Sequence, residues 1–248
     1  MNSERKEPKQ ESFFLTILPF SGLGLLLIVA LVWRIISASG LSPEKPTPEQ
    51  QLIKNAVILW QRAIVQKIDI DPRHDFILGN ETASITLVEF TDFECQRCRS
   101  AAIELKKLLD RYPNDLRLVF KNFPQDHTCN DWMERPMHNY SCSAAALARC
   151  AGEQTTSMFW KVHDTIFQES KLSEEVLTTI LSRLEGTQSK IENCITTEST
   201  LNDIKTDISL ARKLRVSGVP VFFLNGRRIS DHRTVVIEAV IQHVLLSD

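Results

Sequence analysis

Two cysteines separated by two residues, Cys95 and Cys98, carry the most specific chemistry in this 248-residue chain. A thiolate is the attacking species in disulfide exchange. A second thiol three positions on can attack the resulting mixed disulfide and release the partner. What such a pair can do depends on the elements that hold it. Residues 85–90 (Ile-Thr-Leu-Val-Glu-Phe) alternate and are rich in β-branched and aromatic types, which predicts a buried strand. Just afterwards Ala101, Ala102, Leu105, Leu108 and Leu109 recur at helical spacing. The cysteines therefore fall where a strand hands over to a helix, on the helix's first turn. First-turn N–H groups have no partner within the helix, and the helix dipole favours negative charge there. Cys95 is thus the expected nucleophile and Cys98 the resolving thiol, with Arg97 and Arg99 adding positive charge nearby. The plain alternatives are a structural disulfide or half of a zinc site; the strand-to-helix placement favours redox chemistry over both.

Further along, Val219-Pro220 precedes an apolar strand (Val221, Phe222, Phe223, Leu224), and Asn225-Gly226 then makes a two-residue turn into Arg227, Arg228 and Ile229, a hairpin pattern. Residues 116–123 read as another strand, introduced by turn residues Asn114 and Asp115. Strand, helix and strand in this order predict a right-handed parallel crossover. Residues 124–215 run helix after helix, with candidates at 136–153, 157–169, 173–184 and 200–214; Ser141 is a candidate N-cap, and Glu94 reads as a solvated loop residue. Residues 235–246 form a last amphipathic helix suited to pack on the sheet.

A C-x-x-C opening a helix after a strand, a long helical stretch, and Val-Pro before a strand and a final helix together resemble the DsbA-like thiol-disulfide oxidoreductases. The resemblance covers residues 68–248 and implies an α/β, thioredoxin-like fold with a helical domain inserted at about 124–215. It implies protein thiol-disulfide exchange on cysteine-containing protein substrates, with a membrane-bound or soluble redox partner and no dissociable cofactor. It also implies that Pro220 is cis and lies beside the active disulfide, with Val219 offering backbone groups to an extended substrate strand. A buried acid six residues before the first cysteine is a further family feature, and Glu89 occupies that position. Such an acid would exchange the proton of Cys98. An exposed strand Glu is the alternative, because Leu87, Glu89 and Thr91 share one face and Val88, Phe90 and Asp92 the other. Relatives often have Pro after the first cysteine, whereas this chain has Gln96-Arg97. That dipeptide tunes the reduction potential, so oxidation is the expected direction, with isomerisation and reduction as alternatives; a non-catalytic binding or holdase module of the same fold is the reading from another class.

Four more cysteines lie in the helical stretch: Cys129, Cys142, Cys150 and Cys194. Cys142 and Cys150 are eight apart on one predicted helix, roughly 12 Å along its axis, and a disulfide needs Cα atoms within about 7 Å. These two should not pair with each other. The resemblance implies Cys129–Cys142 and Cys150–Cys194 as structural disulfides. A metal site from His127, Cys129, His138 and Cys142 is the rival, but the spacing fits no usual zinc motif, so no metal is expected.

Net charge of −2 gives no strong bias toward nucleic acid, and 43% hydrophobic content fits one medium domain plus an attachment. Six cysteines point to an oxidising compartment. Residues 1–12 are a charged cytoplasmic tail, and residues 13–33 carry no charge, a run of roughly 30 Å as a helix. The expected organisation is a single transmembrane anchor at 13–36 (or an uncleaved signal), a Pro-rich linker at 37–48, and an amphipathic helix at 49–67. The catalytic domain would then face the periplasm or exterior from the cytoplasmic membrane. Leu52, Ile53, Ala56, Leu59, Trp60, Ala63 and Ile64 line the apolar face of the amphipathic helix, which is expected to pack on its own domain, with a homodimer through 49–67 as the alternative.

Overall fold

The computed structural model describes residues 22–38, 45–135 and 137–247. The chain divides into two compact units, Met1–Pro46 and Thr47–Asp248. In the first, helix α1 (Gly22–Ala38) carries the apolar run from Leu25 to Ile36 with its side chains exposed. Among the described residues no helix is long and apolar enough to cross a membrane. Residues 13–21 of the expected anchor, and residues 39–44 of the expected linker, lie outside the described residues.

The second unit opens with α2 (Pro48–Arg62), where Thr47 and Gln50 form a capping box with Pro48 in the first turn. The predicted helix ran to 67; the observed one stops at Arg62, and Gln66 instead donates its backbone N–H to the Gly226 carbonyl. Of the predicted apolar face, Ala56 and Trp60 are buried, while Leu59 and Ile64 are exposed. The helix belongs to the same compact unit as the domain that follows.

A five-stranded sheet is the frame of that domain. Its strands are β1 (Phe76–Gly79), β2 (Ile85–Thr91), β3 (Leu116–Asn122), β4 (Val221–Leu224) and β5 (Arg227–Arg228), in the order β1-β3-β2-β4-β5. β2 and β3 are parallel, joined through α3 (Gln96–Arg111); the other pairs are antiparallel. β1 was not foreseen as a strand. Gly79 ends it with φ +100°, and a Cβ there would come within 2.6 Å of the Leu116 carbonyl oxygen, so only glycine fits beside β3. β2 is central and is buried at six of its seven residues, which removes the ambiguity of its alternation. Helices α4 (Ser141–Gln154), α5 (Thr156–Gln168), α6 (Glu174–Ser182), α7 (Gln188–Ile195) and α8 (Glu198–Lys213) form the insertion between β3 and β4. α9 (Thr234–Leu245) closes the chain, burying Val236, Ile237, Val240 and Ile241.

The insertion holds two disulfides, Cys129–Cys142 and Cys150–Cys194, with Cα atoms 5.9 and 5.8 Å apart. α4 begins at Ser141 rather than near 136, and its alanines (Ala144, Ala145, Ala148, Ala151) let α5 approach closely. A Cβ on Gly152 would sit 2.1 Å from the Phe76 ring, which stacks on Phe159 with centroids 3.9 Å apart. That contact fastens the insertion to the sheet edge.

Candidate active site

The end of β2 and the start of α3 set Cys95 and Cys98 on one helical turn. Cys95 is the N-cap of α3, and its Sγ accepts the Cys98 backbone N–H at 3.3 Å. A side-chain sulfur thus does at this helix start what a serine oxygen usually does, meeting an N–H that has no partner inside the helix. Both thiols are free here; Cys98 is fully buried and Cys95 is 8% exposed. The Cys95 thiol is pulled down to about 6, chiefly by its hydrogen bond with the Cys98 thiol and then by the backbone N–H groups of Cys98 and Arg97, against partial burial and the Asp92 charge. Cys98 moves the opposite way: burial first, then the hydrogen bond and charge of Cys95, push its thiol far up.

Glu89 lies two residues before Thr91 on β2, the strand that leads into the thiol loop, and is 1% exposed. Burial raises its carboxyl from 4.5 to about 8, with a smaller push from the Cys95 charge and an opposing pull from the Thr91 hydroxyl. Its Oε1 and the Thr91 Oγ1 are both buried, and among the described residues neither meets a hydrogen-bond partner within bonding distance. The charge of Glu89 also acts on Cys98, so the acid and this thiol share one buried electrostatic environment.

The third strand-end comes from the other side of the sheet. The Val219–Pro220 peptide bond is cis, and the Cys95 thiol points at the Val219 carbonyl oxygen, 3.8 Å away. Thus Cys95, Cys98, Glu89, Val219 and Pro220, scattered over more than 130 positions of sequence, meet at one end of the β2–β4 pair. Gln96 and Arg97 are exposed, and Arg97 lines an open groove of about 390 Å³ with Ser100, His232 and Val235. Arg99 turns its guanidinium to the Ser170 carbonyl.

Two side chains depart from the sequence reading. Glu94 is not a free loop residue: its carboxylate accepts the backbone N–H of Tyr140 at 2.6 Å, at the start of α4. Ser141 is not the cap of α4 but its first residue, and its hydroxyl donates to Asp92 at 2.6 Å. Asp92 was missed altogether. It is buried and also accepts the backbone N–H groups of Glu94 (2.7 Å) and Gln125 (2.5 Å) and faces His138 Nδ1 at 2.9 Å. An acid between a strand and a cysteine loop was the available signal; its partners come from the insertion and could not be read locally.

Residues 72–242 match the family described as Thioredoxin (Thioredoxin_4). Among curated proteins, the chain is 30% identical over 162 residues to Na(+)/H(+) antiporter NhaA 3 of Salinispora tropica, covering 65% of this chain and 23% of that protein. The chain thus spans about a quarter of the length of the first curated relatives it matches. It is 28% identical over 162 residues to the "Probable disulfide bond formation protein D" of Bacillus anthracis, covering 60% of this chain and 69% of that one. Among solved structures it resembles oxidised BdbD from Bacillus subtilis, with a TM-score of 0.62 at 18% identity over 74% of this chain and 98% of that one. The chain belongs to the thioredoxin family, with a helical insertion between β3 and β4.

Proposed function

We propose that the protein exchanges a Cys95–Cys98 disulfide with cysteines of client proteins outside the cytoplasm, chiefly as an oxidant of folding chains held at the membrane by residues 13–36. The observation that carries the exchange chemistry is two free thiols one helical turn apart, Cys95 capping the helix through its sulfur and Cys98 fully buried behind it. Cys95 is pulled down to about 6, while Cys98 is pushed far up over a buried acid. In the oxidised protein a client thiolate attacks Cys95 Sγ. The S–S bond breaks, Cys98 leaves with the electron pair, and Glu89, protonated at neutral pH, hands it a proton. A second client thiolate then attacks the client sulfur of the mixed disulfide. Cys95 departs as a stabilised thiolate, two electrons have passed to the protein, and the client holds a new disulfide. The Val219 carbonyl beside Cys95 suits an extended client segment laid as an added strand.

A stabilised Cys95 thiolate favours the reduced form of the protein, and so favours oxidising its clients over reducing them. An oxidising redox partner must then remove the two electrons. The uncharged run at 13–33 supports the anchor, and two disulfides in the insertion support an oxidising compartment. A second copy docking on α2 would meet its exposed Leu59 and, just beyond its end, Ile64, since Ala56 and Trp60 are already buried.

Equilibration with glutathione tests the direction. A potential near about −120 mV is expected of a disulfide donor and one near about −270 mV of a reductase. The exchange chemistry itself fails if Cys95 is alkylated at pH 7 no faster than an ordinary thiol.

A further inference from the structure

The Asp92 network lies directly under the thiol loop, and the mechanism above leaves it unused. Asp92 is 1% exposed. Its Oδ1 accepts the Glu94 backbone N–H and the Ser141 hydroxyl, and its Oδ2 accepts the Gln125 backbone N–H and faces His138 Nδ1 at 2.9 Å. The Asp92 carbonyl in turn accepts the backbone N–H of Cys95 at 3.1 Å. A negative charge near Cys95 opposes a thiolate there, and the Asp92 charge acts in that sense, as the smallest of the influences on that thiol. The backbone and hydroxyl donors hold the carboxylate in place but bring no net charge. Among the described residues, His138 is the one partner of Asp92 that can.

We propose that His138 is a positioning residue for thiol exchange, whose imidazolium, held on Asp92, offsets the carboxylate charge that opposes the Cys95 thiolate. The proposal rests on the exchange function above. His138 is well placed for it. Its side chain is 20% exposed, so its ring can trade a proton with solvent while Nδ1–H stays on a buried oxygen. Its own backbone N–H donates to the Gln125 carbonyl at 3.1 Å, so the ring is held at the end of β2 and the backbone on the segment that follows β3. The Cys129–Cys142 disulfide closes the loop that carries it. The hydrogen bond to Asp92 leads in holding the imidazole above its ordinary value; partial burial opposes it, and the charges of Asp92, Glu94 and Cys95, all of one sign, add to it. The influence is reciprocal, as linkage requires: whatever His138 does for the Cys95 thiolate, the thiolate does for the imidazolium.

The first test uses the unaltered full chain in detergent micelles. The His138 ring is titrated by NMR with Cys95–Cys98 oxidised, and again after a glutathione buffer has reduced that pair. A midpoint at least about half a pH unit higher in the reduced form is expected, since only that form holds a thiolate beside the ring. Equal midpoints overturn the proposal without touching the exchange reading, which the alkylation rate of Cys95 tests separately. The second test compares His138→Asn, which can keep a donor on Asp92 but carries no charge, with His138→Lys, which restores the charge. Thiolate absorbance should place the Cys95 midpoint higher in H138N, lowering the thiolate fraction at pH 6 about threefold, and H138K should recover most of it. Identical Cys95 titrations in the two variants would assign His138 a purely structural role.

Discussion

Replacing Glu89 by Gln should make the protein more stable, by an amount that grows with pH. Glu89 is fully buried, with its carboxyl raised from 4.5 to about 8 mainly by that burial. Consider an acid whose folded value lies above its unfolded one. Below about pH 4 both states are protonated and the site costs nothing. As pH rises through 4.5 the unfolded chain releases its proton while the folded one keeps it, so folding stability falls until the folded carboxyl ionises near 8. At about 1.36 kcal/mol per pH unit, the native carboxyl costs about 3 kcal/mol at pH 7 and about 5 kcal/mol at pH 9. Gln has the same shape as the protonated acid and does not titrate, so the variant escapes the cost. Urea unfolding of residues 47–248 with every disulfide intact, followed by tryptophan fluorescence from pH 4 to 9, measures the difference directly. In that oxidised form Cys95 carries no charge, so only burial and the Thr91 hydroxyl act on Glu89. Wild type and E89Q should coincide near pH 4 and diverge above it. A difference that does not change with pH would refute the reasoning, because it would mean that Glu89 ionises alike in the folded and unfolded chain. The same variant should slow release of Cys98 from the disulfide, so stability and turnover should move in opposite directions.

Cys98→Ala should raise the Cys95 thiol above its value of about 6, because the Cys98 hydrogen bond is the largest influence holding it down; alkylation rate against pH reads the midpoint, which should otherwise sit near 6. Lys121→Met should destabilise the domain by about 3–5 kcal/mol, because the Lys121 ammonium, 2.5 Å from Asp75 and 3.2 Å from Asp207, is the cation between two buried carboxylates; a Tm unchanged by the substitution would deny that role. Gly152→Ala should also lower the Tm, because its Cβ would enter the Phe76 ring and part the stack on Phe159. Replacing Cys150 and Cys194 together by Ala should cost about 4 kcal/mol, the closure entropy of a loop with a sequence separation of 44, and should leave Cys95 alkylation unchanged.

The parts of this molecule that were legible in the sequence are those specified by neighbours. β2 and β3 announce themselves through dense runs of β-branched and aromatic residues, α3 through its spaced leucines, and the β4–β5 hairpin through Asn225-Gly226. The C-x-x-C and Val-Pro sites could be placed because each sits at an element boundary. What escaped was set by distant partners. Phe76–Gly79 has too few residues to display a period, and becomes a strand only because β3 offers an edge to pair with. α7 has a single buried residue, Ile191, so its sequence lacks an apolar stripe; the neighbouring Cys194 ties it to α4. Leu59 and Ile64 look like core in a helical wheel, yet α2 meets the domain along the line of Ala56 and Trp60 and leaves them outside. The Asp92–His138 pair spans 46 residues and joins a strand end to a loop of the insertion, which no local pattern could have announced.

The contact between α2 and the far end of the chain sets an order of events during synthesis. Trp60 donates its indole N–H to the Leu224 carbonyl, 164 residues later, and the Arg227 guanidinium reaches back to the carbonyls of Gln61 and Ala63. At roughly 5–20 residues per second, α2 leaves the ribosome roughly 10–30 s before the strand that receives it exists. Cys129 and Cys142, only 13 apart, can meet long before then, and so can the strands on either side of α3. The nascent chain therefore carries an amphipathic segment with no seat while the insertion is already being stapled. The hairpin that follows Pro220 is the last piece of sheet to arrive, and it completes the active site and the berth for α2 in one step. A ribosome stalled before residue 221 would display a chain with both thiols in place but without β4, which carries the cis-proline corner on the sheet, and with Trp60 still in water.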